Sequence, residues 1–130
     1  MATVERFPSQ PLGSLTLPFS ESVRFGDLLF ISGQLGHRPV VPELVPGGVG
    51  PETRQALENL GAVLARRGLG FGDVVKVTCM LADMSEWKEM NEAYVGFFPA
   101  GELPARSAFG TNGLALGARI ELEAIAAIRG

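Results

Sequence analysis

The stretch RIELEAIAAI at residues 119–128 constrains the fold more than any other part of this chain. Successive side chains of a strand point to opposite faces. Ile120, Leu122, Ala124 and Ala126 therefore share one face, and Arg119, Glu121, Glu123 and Ile125 share the other. The first face is apolar enough to bury. The second is half polar and half apolar, and it carries two carboxylates.

What covers the apolar face lies upstream. Pro51–Arg67 predicts a helix, because Leu57, Leu60 and Leu64 recur at i, i+3 and i+7, with Ala56 and Val63 widening the stripe. Pro51 suits position N1, where its missing N–H had no helical partner. Glu52 and Glu58 lie early and Arg66-Arg67 late, as the dipole favours, and Gly68 is placed to end the helix at C′. A second helix starts at Asp83 or Ser85, with Asp83 and Glu86 at capping-box spacing. It carries Trp87, Met90, Tyr94 and Phe97 on one stripe and stops at Pro99. Between the helices, Val74–Ala82 reads as a strand with Val75, Val77, Cys79 and Leu81 on one face. A short strand follows at Arg106–Phe109.

The N-terminal part reads as a loosely tethered arm over 1–13 and a first strand at Ser14–Leu17. A β-hairpin over Ser22–Gly33 turns at Gly26-Asp27, which suits type II′. Residues 37–50 hold three prolines and three glycines and predict a long connecting loop. The order of elements predicts an α/β (α+β) two-layer sandwich in a single domain over 1–130: a mixed sheet with two helices on one face. Ser32, Lys76, Thr78, Met80, Glu121 and Glu123 fall on the open face, and such a mixed face often packs on a copy of itself.

Composition narrows the function. Eleven Lys+Arg against fourteen Asp+Glu give a net charge of −3. There is no basic field to release counterions from nucleic acid, and Arg66-Arg67 reads as a helix-end charge pattern. Charged residues make up only 19%, below the usual ~25%, which hints that part of the surface is covered by another subunit. The single cysteine, Cys79, alternates with Val75 and Val77 and reads as a buried apolar residue. The single histidine, His37, sits in the loop and reads as solvated. No metal site can be built from cysteines, and no uninterrupted run of ~18 apolar residues suggests a membrane span. A cytoplasmic protein is the expectation.

Five stretches in order resemble the RidA/YjgF family of reactive-intermediate (enamine/imine) deaminases: FGDLLFISGQ at 25–34, GDVVKVTCMLADM at 72–84, MNEAYVGFF at 90–98, LPARS at 103–107 and GARIELEAIA at 117–126. The last two are similar to the family's P-A-R-S and V-E-I-E-A-I-A signature. The resemblance spans roughly Pro18 to Arg129. It implies a chorismate-mutase-like fold, a homotrimer with clefts between subunits, a small 2-imino/2-keto acid ligand and no cofactor. It places the carboxylate-binding arginine on Arg106 and the water-positioning glutamate on Glu121. It places further substrate contacts on Ser32, Gly33, Asn91, Phe19 and Ala108. The family often has tyrosine where this chain has Phe19, and cysteine where it has Ala108.

Without the resemblance, Arg106 fits a surface or inter-subunit ion pair equally well, and Glu121 fits a cross-strand pair with Arg119 or Lys76. With it, the chemistry coheres. An arginine grips a carboxylate bidentately, a carboxylate holds and deprotonates water, and a reactive imine needs little beyond positioning. The expected activity is hydrolysis of 2-imino acids released by pyridoxal-phosphate enzymes. A non-catalytic small-acid binder stands as the alternative. An endoribonuclease or translation inhibitor, also attached to this family, is disfavoured by the charge.

Overall fold

The last strand in chain order sits in the middle of the sheet. The structure is a computed structural model that describes residues 3–129. Its strands are β1 (Val4–Pro8), β2 (Ser20–Phe25), β3 (Leu28–Leu35), β4 (Val74–Leu81), β5 (Ala105–Gly110) and β6 (Ile120–Ala127). Its helices are α1 (Val49–Arg66) and α2 (Trp87–Tyr94). The sheet order is β1-β2-β3-β6-β4-β5. Only β4 and β5 run parallel; the other neighbours are antiparallel.

The alternation of β6 is realised in full. Ile120, Leu122, Ala124 and Ala126 are buried, and they meet Leu29, Ile31, Val77, Cys79 and Leu81 from the flanking strands. Leu57, Leu60, Val63 and Leu64 of α1 and Met90 and Tyr94 of α2 close the same core. Both helices therefore cover one face of a mixed sheet. Among the described residues, no helix is long and apolar enough to cross a membrane.

The hairpin forms with Gly26-Asp27 as its two-residue loop, Phe25 facing Leu28 across it. Gly26 has φ +61° while Asp27 stays negative, the sign pattern of type II′. Helix α1 ends in a Schellman motif: Gly68 N–H donates to Ala65 O and Leu69 N–H to Leu64 O, with Gly68 at φ +73°.

Five local expectations need correction. The first strand lies at Val4–Pro8, inside the expected arm, whose residues 1 and 2 lie outside the described residues. Ser14–Leu17 forms no strand: Ser14 lies in a turn closed by the Leu12–Leu15 bridge, and Thr16 and Leu17 follow in irregular structure. Helix α1 begins at Val49 after Gly48, so Pro51 stands third rather than first. The first turn still leaves its missing N–H without cost, because the first helical bond runs from Glu52 N–H to Gly48 O. The β4–β6 register slips between Val74 and Lys76, which bulges Val75 outward and exposes it. Finally, Asp83 caps through Ser85 N–H at 2.9 Å, but Glu86 does not complete a capping box. Its carboxylate takes Arg119 Nε at 2.7 and 3.0 Å instead, since a charged partner outcompetes a backbone donor.

Candidate active site

Two groups of the sequence-predicted residues gather in two places. The first is built where β3 breaks its register with β6. Ile31 faces Ala124 and Gln34 faces Leu122, so Ser32 and Gly33 form a bulge beside Glu121 and Glu123. Bulges re-aim side chains next to sites. Ser32 Oγ donates to Ser20 O at 2.6 Å, which ties the bulge to the strand that begins beside Phe19. Phe19, Ser32, Gly33 and Glu121 all line one cavity of about 480 Å³.

Glu121 is partly buried there and has no ion-pair partner among the described residues. The alternative cross-strand pairing with Arg119 or Lys76 does not form among the described residues, and Arg119 is taken by Glu86. Burial pushes the Glu121 carboxyl above the usual carboxylate range, and the charge of Glu123 adds to the rise. A carboxyl poised in this way can both accept and return a proton.

Three cavity residues, Glu21, Arg66 and His37, were not legible as such. Glu21 is only 7% exposed, and Arg66 reaches it from α1 with Nε 3.2 Å from Oε2 and Nη2 on Oε1. Arg66 thus has a fixed partner in the wall rather than a mere helix-end position. Arg67 beside it stacks over Phe7 at 3.9 Å. His37, expected in solvent, is partly buried at the cavity edge. Its Nδ1 donates to Arg38 O at 2.7 Å.

The second group lies on β5 and α2. Arg106 registers with Val77 and Ala108 with Cys79, both core-facing positions of β4, so Arg106 and Ala108 point to the helical side. Glu121 registers with Met80 and points to the open side. Within one chain the sheet therefore separates Arg106 from Glu121. The Arg106 guanidinium lies over the Tyr94 ring at 4.8 Å, with Nη1 3.9 Å from Met90 Sδ. Asn91 stands between those two contacts in sequence, and its Oδ1 is buried without a hydrogen-bond partner among the described residues. The Tyr94 hydroxyl is likewise buried and unpaired, and burial pushes it up to about 12. Burial also pushes the Cys79 thiol up to about 11, which leaves it inert as a nucleophile.

Known proteins share this arrangement of elements. Residues 13–128 match the family model described as Endoribonuclease L-PSP. A Mus musculus protein named 2-iminobutanoate/2-iminopropanoate deaminase is 47% identical over 109 residues, 84% of this chain and 80% of that protein. A Homo sapiens protein of the same name is 42% identical over 109 residues, 84% of this chain and 79% of that protein. The crystal structure of RidA from an Antarctic Psychrobacter is 30% identical with a TM-score of 0.84, covering 95% of this chain and 99% of that one. With the family model matched along nearly the whole chain and relatives this similar, the chain belongs to the Endoribonuclease L-PSP, or RidA/YjgF, family.

Proposed function

We propose that this chain hydrolyses reactive 2-imino acids to 2-keto acids and ammonia in the cytoplasm, and that it does so as a homotrimer of chorismate-mutase-like subunits. Each cleft combines the Glu121 cavity of one subunit with the Arg106 edge of the next. The observation that carries this is Arg106: a partly buried guanidinium, held against Tyr94, with no carboxylate partner among the described residues. A group of that kind is ready for an anion from outside the chain. The deaminase names of the mouse and human relatives supply the anion's class.

Arg106 takes the substrate carboxylate in two parallel hydrogen bonds, which fixes the imine carbon in place. Asn91 and Ala108 flank it at that end. Glu121 holds a water, with Ser32 and Gly33 beside it and Phe19 as the wall. As the water oxygen bonds to the carbon of the protonated imine, the C=N electron pair moves to nitrogen, leaving –NH2, and Glu121 accepts one water proton. Glu121 then passes that proton to the nitrogen. The C–N bond breaks, ammonia leaves, and the remaining O–H proton goes to Glu121 as the C=O of the keto acid forms. Ribonuclease chemistry finds less support, because a net charge of −3 supplies no basic field to hold a phosphate chain.

Mixing two inactive variants tests both the chemistry and the assembly. Arg106→Ala and Glu121→Gln are each expected to lose most activity in an imine assay driven by an amino-acid oxidase. Unfolded together and refolded at equal amounts, they regain about one quarter of wild-type activity if each cleft takes one residue from each of two subunits. Full activity in Arg106→Ala alone, or no recovery on mixing, overturns the respective part.

A further inference from the structure

The cavity beside Glu121 is far larger than a small imino acid fills. Its volume of about 480 Å³ lies in the range of sites for much bulkier ligands. The reacting end occupies one part of it. Much of the remaining wall is apolar and includes Leu15, Leu17, Val40 and Leu116. Leu15, Phe19, Val40 and Leu116 are 46%, 50%, 62% and 47% exposed. Single exposed apolar residues need no explanation, but several converging on one concavity do.

The backbone singles out two of them. Val40 at φ +55° and Leu116 at φ +60° are the positive-φ residues other than glycine among the described residues. This region is disfavoured for side chains with a Cβ, most of all for a β-branched one. Yet both line this cavity, from loops far apart in sequence. Val40 is held there by Gly13 N–H, which donates to its carbonyl at 2.7 Å. Leu116 sits in the short turn Ala115–Gly117 that leads into β6 and Glu121. Disfavoured backbone retained at two points around one cavity marks a functional constraint.

We propose that Val40 and Leu116 determine substrate specificity: they form an apolar jaw that receives the side chain of a 2-imino acid carrying a branched aliphatic or aromatic group. The proposal rests on the deaminase reading for the reacting end. Phe19 fits the same role, since a phenyl ring without a hydroxyl extends the apolar wall. The polar groups at the other end would hold what every 2-imino acid shares.

The test compares imines made in situ from alanine, leucine and phenylalanine, using wild type, Leu116→Gly and Val40→Gly. Glycine accepts the positive φ, so each variant removes a side chain while keeping the loop. Wild type is expected to show kcat/KM at least about tenfold higher for the leucine or phenylalanine imine than for the alanine imine. That ratio is expected to fall about tenfold in each variant, in line with what an apolar pocket contributes to selectivity. An unchanged ratio in both variants overturns the proposal and leaves the deaminase standing. Loss of selectivity together with loss of the wild-type oligomer, seen by size-exclusion chromatography, assigns the side chains to subunit packing and also overturns it. If no imine is hydrolysed faster than in buffer, the deaminase reading falls instead. The jaw is then tested by calorimetry with 4-methyl-2-oxopentanoate and pyruvate. Tighter binding of the branched acid that is lost in Leu116→Gly supports the jaw; equal binding overturns it.

Discussion

Gly33 lies against the Glu121 carboxylate with no space for a side chain. A Cβ added to Gly33 would overlap Oε2 and stand 2.9 Å from Cδ. The residue after Ser32 is therefore tied to the position of the Glu121 carboxyl.

Gly33→Ala is expected to push the Glu121 carboxyl aside while leaving the sheet intact. A misplacement of about 1 Å can cost on the order of 100-fold in rate. Steady-state kinetics should show that loss mainly in kcat, with a thermal melt close to wild type. A variant with unchanged kcat would separate Gly33 from the position of Glu121.

The raised Glu121 carboxyl makes a stability prediction with a definite sign. The folded chain binds this proton more readily than the unfolded chain does. Stability from this group is thus present below the ordinary carboxylate pKa and is lost as pH rises through the raised folded value. Glu121→Gln removes the cost of burying the charge. It is expected to be more stable than wild type by up to about 1 kcal/mol at pH 7 and no more stable near pH 3. Urea titrations at the two pH values measure the difference.

The Glu21–Arg66 pair predicts an asymmetric mutant cycle. Arg66→Leu strands the buried Glu21 carboxylate and is expected to cost about 2–4 kcal/mol. Glu21→Leu with Arg66→Leu is expected to recover most of that, because no unpaired charge remains. Denaturant melts of both single variants and the double variant give the coupling.

Tyr94 separates ring from hydroxyl. The ring lies under Arg106, and the hydroxyl is buried without a partner among the described residues. Tyr94→Phe should keep stability within about 1 kcal/mol of wild type or raise it, since it removes an unsatisfied polar atom. Tyr94→Ala should cost about 3–5 kcal/mol by leaving a cavity. If KM for imine rises in the alanine variant and not in the phenylalanine variant, the ring positions the guanidinium.

What the sequence displays and what it hides follow from the range of the interactions. The β6 alternation, the α1 leucine stripe and the Gly26-Asp27 turn are local patterns, and each is realised. β1 is an edge strand with only Phe7 partly buried, so no periodicity marks it; its pairing with β2 is what makes it a strand. The Val75 bulge arises from a register slip against β6, a strand written far downstream. Glu86 and Arg119 find each other across the fold, as do Glu21 and Arg66, and no spacing rule links such partners. The site residues themselves were located by family likeness. Their division between the two faces of the sheet, Arg106 on one and Glu121 on the other, needed the register of three strands at once.

The central place of β6 also sets an order of events during synthesis on the ribosome. Until residues 120–127 have been made, β1-β2-β3 and β4-β5 are two separate ribbons, each with an open edge where β6 belongs. Completion of the sheet and arrival of Glu121 are therefore a single step. A chain stalled or cleaved before that point lacks both the strand that joins the ribbons and the Glu121 carboxyl. It leaves unpaired strand edges, the kind of surface that pairs with other chains.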